Sequence, residues 1–236
     1  MKQTVTTSWD DGSIFDLKVA ELLNKYGIKG TFYVPESLFA HPLKRDDILM
    51  LGKYFEIGCH TLTHVDLTKV SLSEAKREIE GSKAYLEDLL GHNVPMFCYP
   101  SGRFNKDIKK VVRDSGFIAA RTIKRGGFNL PSDPYEWQVT LYASPGLPTP
   151  TLIPWLKRRI AISRLLDWET QAKLLFDKFL KVGGIYHIWG HSLGFEINLH
   201  WDKLDRVLAY ISHREGVHYM TNGEIFTGHH QEGEHV

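Results

Sequence analysis

The chain has 236 residues, of which 29 are basic and 28 acidic, so its formal net charge is only +1. Hydrophobic residues make up 42% and charged residues 24%, a composition typical of a globular protein. The balanced charge excludes the basic field of a nucleic-acid-binding domain, and no apolar run is long enough for a membrane span. Two cysteines are too few for a disulfide scaffold. We expect one domain over residues 1–236 and, because the first residues form no signal-like apolar segment, a cytoplasmic location.

Short apolar runs alternate with amphipathic segments through the first half of the chain. Strands are predicted at 5–9, 30–34, 55–59 and 96–99, and helices at 13–26, 46–54, 71–90 and 105–115. The helix at 71–90 has the clearest ends, because Ser71 and Glu74 have capping-box spacing and Gly91 supplies a stop. This order predicts strands connected through helices.

The second half continues the alternation around one irregular stretch. A strand is predicted at 117–123, and residues 126–150 are rich in Gly and Pro with a strand near 137–142. Residues 151–182 are predicted to be largely helical with a break near Asp167, and a frayed tail is expected from 228 onwards. Between them lie a strand at 185–189, a helix at 202–214 and a strand at 217–220. Six or seven rounds of strand and helix predict an α/β fold with a mainly parallel sheet, open or closed into a barrel.

Polar side chains follow several of these strands at the point where each strand ends. They are Asp10 and Asp11, His60, Ser101 and His191. Parallel α/β folds place their functional sites at the carboxyl ends of the strands, so these residues are expected to lie close together.

A metal site is the first chemistry that this set indicates. His60 and His64 are four residues apart, and a helical turn would put both imidazoles on one face. Alone, that pair fits two surface histidines equally well, and the Asp10-Asp11-Gly12 sequence fits a turn. Together they offer two imidazoles and a carboxylate, which leave coordination positions open for water and substrate. The second carboxylate is then free to accept a proton.

Two further segments add groups that such a site needs. The Tyr99-Pro100-Ser101-Gly102-Arg103 segment either forms a plain turn or aims a backbone N–H at an oxyanion. His191 follows a strand, where it is either a structural histidine or a proton donor to an amine leaving group. His187 lies within the same strand and, because side chains alternate, need not face the same way.

The motifs together resemble those of a known family. Ser8-Trp9-Asp10-Asp11-Gly12, His60-x-x-x-His64, Tyr99-Pro100-Ser101-Gly102 and the strand ending at His191 are similar, in order, to the motifs of the polysaccharide deacetylase (NodB-homology) family, carbohydrate esterase family 4. The resemblance runs from about residue 5 to residue 225, and its first two motifs together are specific. It implies a distorted (β/α) barrel with about seven parallel strands.

The resemblance also implies a role for each matching residue. Asp10 would be the general base, and His191 the general acid. Ser101 would offer its backbone N–H to the oxyanion. The remaining three matching residues would bind the metal: Asp11, His60 and His64.

Three departures from the family pattern stand out. Cys98 occupies the position where the third motif usually has an Arg that pairs with the catalytic Asp. Arg103 and Arg121 are the candidate replacements for that guanidinium. Ser101 stands where the family often has a Tyr, and the fourth motif, with its Asp and Trp, is not recognisable.

The function expected from all this is metal-dependent removal of N-acetyl groups from a carbohydrate, with one divalent ion, zinc by expectation. Trp189, Tyr99 and Arg103 are the predicted substrate contacts; Trp137, Trp201 and Tyr142 fit sugar stacking or, more commonly, core packing. Two alternatives remain open at this point. One is an amidohydrolase acting on a non-sugar amide, and the other is a catalytically silent carbohydrate-binding protein of the same fold.

Overall fold

The structure is a computed structural model that describes residues 3–37, 41–143 and 167–230. The strands in these ranges are β1 (Gln3–Asp10), β2 (Gly30–Val34), β3 (Glu56–Cys59), β4 (Met96–Cys98), β5 (Ala119–Arg125), β6 (Trp137–Val139), β7 (Leu141–Ala143), β8 (Gly184–Gly190) and β9 (Val217–Tyr219). The helices are α1 (Asp16–Lys25), α2 (Arg45–Gly52), α3 (Leu72–Leu90), α4 (Lys106–Asp114), α5 (Trp168–Val182), α6 (Ser192–Ile197), α7 (Trp201–Ile211) and α8 (Asn222–His230). No helix in the described ranges is long and apolar enough to cross a bilayer. The predicted helix over 151–166 lies outside the described residues.

The strands form one parallel sheet in the order β6-β5-β4-β3-β2-β1-β8-β7, and β9 pairs with the first residues of β1. The predicted strand at 137–142 is in fact two strands that join opposite ends of this order. β6 pairs with β5, β7 pairs with β8, and between them the Thr140 N–H donates to the His187 carbonyl (3.0 Å). The sheet therefore nearly closes, which confirms the predicted distorted (β/α) barrel.

The two faces of β1 have different surroundings. Val5 and Trp9 belong to the large apolar core that packs against the helices. Thr6, Ser8 and Asp10 alternate with them and hydrogen bond to polar groups within the barrel, all at 3% exposure or less. The polar interior ends in Asp10 at the carboxyl end of the strand. The position of Asp10 is thus set by the pleat of β1.

Helix α8 covers the other end of the barrel and was not predicted; the frayed tail was expected from residue 228 onwards, which lies within this helix. The Asn222 side chain accepts a hydrogen bond from the Thr6 hydroxyl (2.8 Å) and donates one to the Tyr33 hydroxyl (2.9 Å). Phe226 packs edge-on against Trp137, with ring centroids 5.0 Å apart. These contacts leave the carboxyl ends of the strands, at the opposite end, as the place for a site.

A buried carboxyl group joins α8 to the sheet. Glu56 begins β3 and accepts hydrogen bonds from the Thr31 hydroxyl (2.6 Å) and from the Gly223 N–H (3.0 Å). Burial raises the pKa of Glu56 to about 7, against the effect of these donors, and the charge of Glu224 adds to the rise. The folded protein therefore holds a proton that the unfolded chain releases at lower pH.

This raised pKa predicts a pH-dependent loss of stability. The protonated Glu56 side chain contributes fully to the free energy of unfolding below the ordinary glutamate pKa of 4.5. This contribution is lost as the pH rises towards about 7. Relative to Glu56→Gln, which cannot ionise, the wild-type free energy of unfolding should fall by about 3 kcal/mol between pH 4.5 and pH 8. Urea unfolding across that range measures it. Glu80→Gln, on the exposed side of α3, is the control expected to stay within about 0.5 kcal/mol; a pH-independent difference for Glu56→Gln would contradict the prediction.

Candidate active site

The three predicted metal ligands converge at the carboxyl ends of β1 and β3. Asp11 Oδ1 lies 3.6 Å from His60 Nε2 and 3.3 Å from His64 Nε2, and one ligand atom from each residue falls within 4.8 Å of the others. Atoms bound to one tetrahedral zinc at about 2.1 Å are about 3.4 Å from each other. Asp11 Oδ1 is also buried without a hydrogen-bond partner among the described residues, as expected of an atom that faces a cation. The three side chains therefore fit a divalent metal.

The orientation of the His60 ring is fixed by a hydrogen bond on the side of the ring that faces away from Asp11. Its Nδ1 lies 2.8 Å from the carbonyl oxygen of Cys98, which can only accept a hydrogen bond. Nδ1 must therefore carry the proton, and Nε2 presents its lone pair towards Asp11. Such a hydrogen bond from the far nitrogen is the usual way in which proteins orient a metal-binding imidazole.

The prediction that His60 and His64 share a helical turn is wrong. Residues 60–64 form a loop in which Thr61 (φ 66°) and His64 (φ 56°) both adopt left-handed conformations. Asp11 (φ 80°) and Ser101 (φ 53°) do the same in the neighbouring loops. Non-glycine residues rarely adopt this conformation, and its concentration in three adjacent loops is typical of a functional site.

A carboxylate from α3, which sequence reasoning missed, supports the loop between the two histidines. Glu78 is 1% exposed and accepts hydrogen bonds from the backbone N–H groups of Leu62 (3.0 Å) and Thr63 (2.9 Å). It also accepts one from the Thr63 hydroxyl (3.1 Å). The loop thereby gains three bonds to a rigid helix, which compensates for its strained backbone. The only signal in the sequence is an acidic residue on the buried face of α3.

Asp10 lies beside the candidate metal ligands and is held by a buried ion pair. The Arg121 guanidinium on β5 contacts Asp10 Oδ1, and both side chains are at most 3% exposed. The Cys98 thiol approaches Asp10 Oδ2 at 3.7 Å, and burial raises the pKa of this thiol, so it remains a neutral donor. Cys98 and Arg121 are direct neighbours in the register of β4 and β5. The guanidinium missing from position 98 is therefore supplied by the adjacent strand.

The turn after β4 brings Ser101 to the same end of the barrel. Residues Pro100–Gly102 form a 3₁₀ turn, and Gly102 (φ 66°) packs so tightly that an added Cβ would lie 2.4 Å from Ile123 Cγ1. Arg103 then turns outwards, where its Nη1 binds Asp66 Oδ2 at 2.6 Å and its side chain lines a cavity of about 490 Å³. Arg103 is thus not the partner of Asp10. It ties the Ser101 loop to the loop that carries His64.

His191 directly follows β8, which lies on the opposite side of β1 from β3, and it faces the candidate metal ligands. Its Nε2 lies 3.7 Å from Asp11 Oδ2, and its Nδ1 lies 3.0 Å from the Tyr142 hydroxyl. Trp189, two residues earlier, is 6% exposed and lies under the Arg121 guanidinium at 4.8 Å. His187 points into the barrel, 2.8 Å from the Ser8 hydroxyl, and is not part of the site.

The structure does not bring the Tyr99 side chain into the site, although it was a predicted substrate contact. Tyr99 is fully buried, its hydroxyl donates to the Tyr135 carbonyl (3.1 Å), and its ring stacks on Phe104 at 4.5 Å. Trp137 is likewise buried in the barrel core. Both aromatic rings therefore pack in the core, which is the more common role of buried aromatic residues.

Electrostatics around the site favour negative charge on Asp11. Burial opposes its ionisation, but the close approach of His60 and the charges of His191, His60 and His64 outweigh burial and lower the pKa of Asp11. Burial lowers the pKa of His64, helped by the charge of His60. The pKa of His60 is raised, because the influence of Cys98 and Asp11 exceeds the cost of burial.

Comparison with known proteins shows which family this chain resembles. A family model described as polysaccharide deacetylase matches residues 1–120, just over half of the chain. The putative polysaccharide deacetylase YxkH of Bacillus subtilis (strain 168) is 25% identical over 129 residues, which cover 53% of this chain and 46% of that protein. The chain thus matches less than half the length of this curated relative.

Two solved structures share the whole fold at low sequence identity. A putative polysaccharide deacetylase from Mycobacterium smegmatis superposes with a TM-score of 0.69 at 15% identity, covering 98% of this chain and 91% of the other. The Xyl-CE4 domain of a multidomain xylanase from the hindgut metagenome of Trinervitermes trinervoides gives 0.64 at 15% identity, with 98% and 92% covered. The family match at 1–120 includes Asp10 and the three candidate metal ligands but ends before Arg121 and His191.

Proposed function

We propose that this chain, which belongs to the polysaccharide deacetylase family, is a metal-dependent hydrolase that removes N-acetyl groups from a carbohydrate. One observation carries the proposal. Asp11, His60 and His64 present ligand atoms at the separations that one divalent ion requires, and Asp10 lies next to them with a carboxylate that the metal does not need. YxkH is described as a putative polysaccharide deacetylase, which supports a carbohydrate substrate.

The side chains of the site divide the reaction between them. A divalent metal at the three ligands would supply Lewis acidity and acidify water towards a pKa of about 7. Asp10 accepts the proton of the attacking water as the new C–O bond forms, and Arg121 and the Cys98 thiol keep its carboxylate oriented. The Ser101 backbone N–H offers a hydrogen bond to the oxyanion.

Collapse of the tetrahedral intermediate needs a proton on the leaving nitrogen. His191 Nε2 faces the site from the side opposite the metal-binding histidines and donates that proton as the C–N bond breaks. The products are acetate and a free amine, and the proton on Asp10 returns to solvent or to His191. Asp10 and His191 thereby act as a base and an acid in one turnover. A protein that only binds carbohydrate would have no use for this pair.

Acetate release provides the direct test. The protein is assayed on N-acetylated oligosaccharides and on a small non-sugar acetamide, after chelator treatment and after separate addition of zinc, cobalt, nickel and iron(II). We expect release from at least one oligosaccharide, its loss with chelator and its return with metal. Release from the acetamide alone would replace the carbohydrate assignment with an amidohydrolase. Saccharide binding without release under every metal condition would indicate a silent binding protein.

His60→Ala is expected to lose metal and activity together. The variant removes one of three ligands and leaves the Cys98 carbonyl without its donor, so metal affinity should fall by more than about 100-fold. Metal content after dialysis, measured by mass spectrometry, and acetate release are the two measurements. His92→Ala removes an exposed histidine and should match the wild type in both. A His60→Ala protein that keeps one equivalent of metal would remove His60 from the ligand set.

A further inference from the structure

His191 has a hydroxyl partner on the neighbouring strand. Tyr142 of β7 pairs in register with Trp189 of β8, and its ring stacks on the Trp189 indole with centroids 4.3 Å apart and planes at 23°. The tyrosine hydroxyl lies 3.0 Å from His191 Nδ1, and the two rings meet edge-on at 88°. Packing on one face and strand pairing along the backbone thus fix the ring that carries this hydroxyl.

The chemistry of imidazole gives this contact a consequence. A neutral imidazole has one N–H donor and one acceptor nitrogen, and the partner of one nitrogen decides which tautomer exists. A histidine that donates a proton from Nε2 as an acid must be the charged imidazolium, and the neutral ring that remains carries its one proton on Nδ1. Nε2 points towards the candidate metal ligands, 3.7 Å from Asp11 Oδ2. A tautomer with the proton on Nδ1 therefore leaves Nε2 free to give up and regain a proton on the face where a substrate would lie.

A phenol suits this position for a second reason. Its hydroxyl can accept from Nδ1–H of the charged ring and of the neutral ring alike, so the hydrogen bond persists when His191 loses the proton on Nε2. A hydroxyl allows the ring to keep one orientation through a cycle of proton transfer.

We propose that Tyr142 is a positioning residue, which fixes the orientation and the Nδ1–H tautomer of His191. Tyr142 acts through His191 and does not itself contact the reacting atoms; it was expected at the sequence level only as a sugar-stacking or core aromatic. Its kinetic effect depends on the proposed deacetylase function, whereas its effect on the tautomer does not.

Tyr142→Phe is the informative substitution, because it removes the hydroxyl and keeps the ring on Trp189. We expect kcat for acetate release to fall about 10-fold while KM changes less than about 2-fold, since one hydrogen bond that orients a proton donor is lost. Tyr210→Phe is the matched control. It deletes a hydroxyl that binds Asp177 at 2.7 Å on the outer helices, and kcat should not change.

The tautomer is measured without substrate. Proteins labelled with ¹⁵N-histidine are compared by long-range ¹H–¹⁵N NMR at pH 9, and the His191 signals are assigned from their absence in His191→Gln. The wild type should show the Nδ1–H form, and Tyr142→Phe should populate the Nε2–H form, with the other histidine signals and the unfolding midpoint unchanged. An identical tautomer ratio in both proteins overturns the proposal whatever the kinetics show. A wild type with no acetate release would refute the proposed function and leave the tautomer comparison decisive.

Discussion

Asp10→Asn should lower kcat for acetate release by about 10³-fold while the protein keeps its full metal content. Asn cannot accept the proton of the attacking water, and general-base assistance is worth about 10²–10⁴ in rate. The proposed metal ligands are Asp11, His60 and His64, and none of them changes. Steady-state kinetics test the expected fall in kcat, and metal analysis of the same preparation tests the unchanged metal content. Turnover within about 10-fold of wild type would rule out Asp10 as the base.

The stability of this variant needs its own control. Removing the Asp10 charge leaves the Arg121 guanidinium buried without an anion, which costs about 3–5 kcal/mol. The double variant Asp10→Asn/Arg121→Gln removes both charges and should recover much of that loss, measured by urea unfolding. Its activity should nevertheless stay as low as that of Asp10→Asn. Recovery of activity together with stability would mean that the single variant was inactive only because it was poorly folded.

The sequence is sufficient to predict the barrel and the residues that follow its strands. The alternation of strand and helix patterns specifies parallel strands, and parallel strands bring Asp11, His60 and His191 to one end wherever the barrel closes. The short helix α6 (Ser192–Ile197) and α8 were missed, because six residues carry no clear period and α8 contains two glycines. The left-handed conformations of Thr61 and His64 are likewise invisible, since nothing in the residue types requires them.

Contacts between strands were the part that the sequence could not decide. Arg103 and Arg121 were equal candidates to pair with Asp10, because choosing between them requires the register of β4 against β5. The same holds for Tyr142, whose hydroxyl reaches His191 only because β7 and β8 pair with Tyr142 opposite Trp189. Register depends on packing across the whole barrel, whereas motif spacing is a property of the chain alone.

The position of Arg121 suggests that a guanidinium can reach Asp10 from either of two neighbouring strands. In the family pattern, the arginine stands where this chain has Cys98. Cys98 and Arg121 are paired residues of adjacent parallel strands, and both side chains contact Asp10. The Arg121 guanidinium also lies 4.8 Å from the Trp189 ring and 5.2 Å from the Tyr33 ring, so it fills a prepared space within the barrel. Exchanging Cys98 and Arg121 keeps the same net charge and the same total side-chain volume in the barrel, and the guanidinium still has Asp10 as its partner.

Arg121→Met should lower kcat by about 10²-fold and the free energy of unfolding by about 3–5 kcal/mol, because Asp10 loses its orienting partner and becomes an unpaired buried charge. The exchange variant Cys98→Arg/Arg121→Cys should recover most of both losses. Arg121→Lys should recover stability better than rate, because an ammonium group restores the charge but lacks the planar, two-pronged geometry with which a guanidinium orients a carboxylate. Urea unfolding, metal content and acetate release distinguish these outcomes. Metal content should be unchanged throughout. An Arg121→Met protein with wild-type kcat would show that Asp10 acts without the arginine. An exchange variant no better than Arg121→Met would show that only β5 can deliver the guanidinium in a useful orientation.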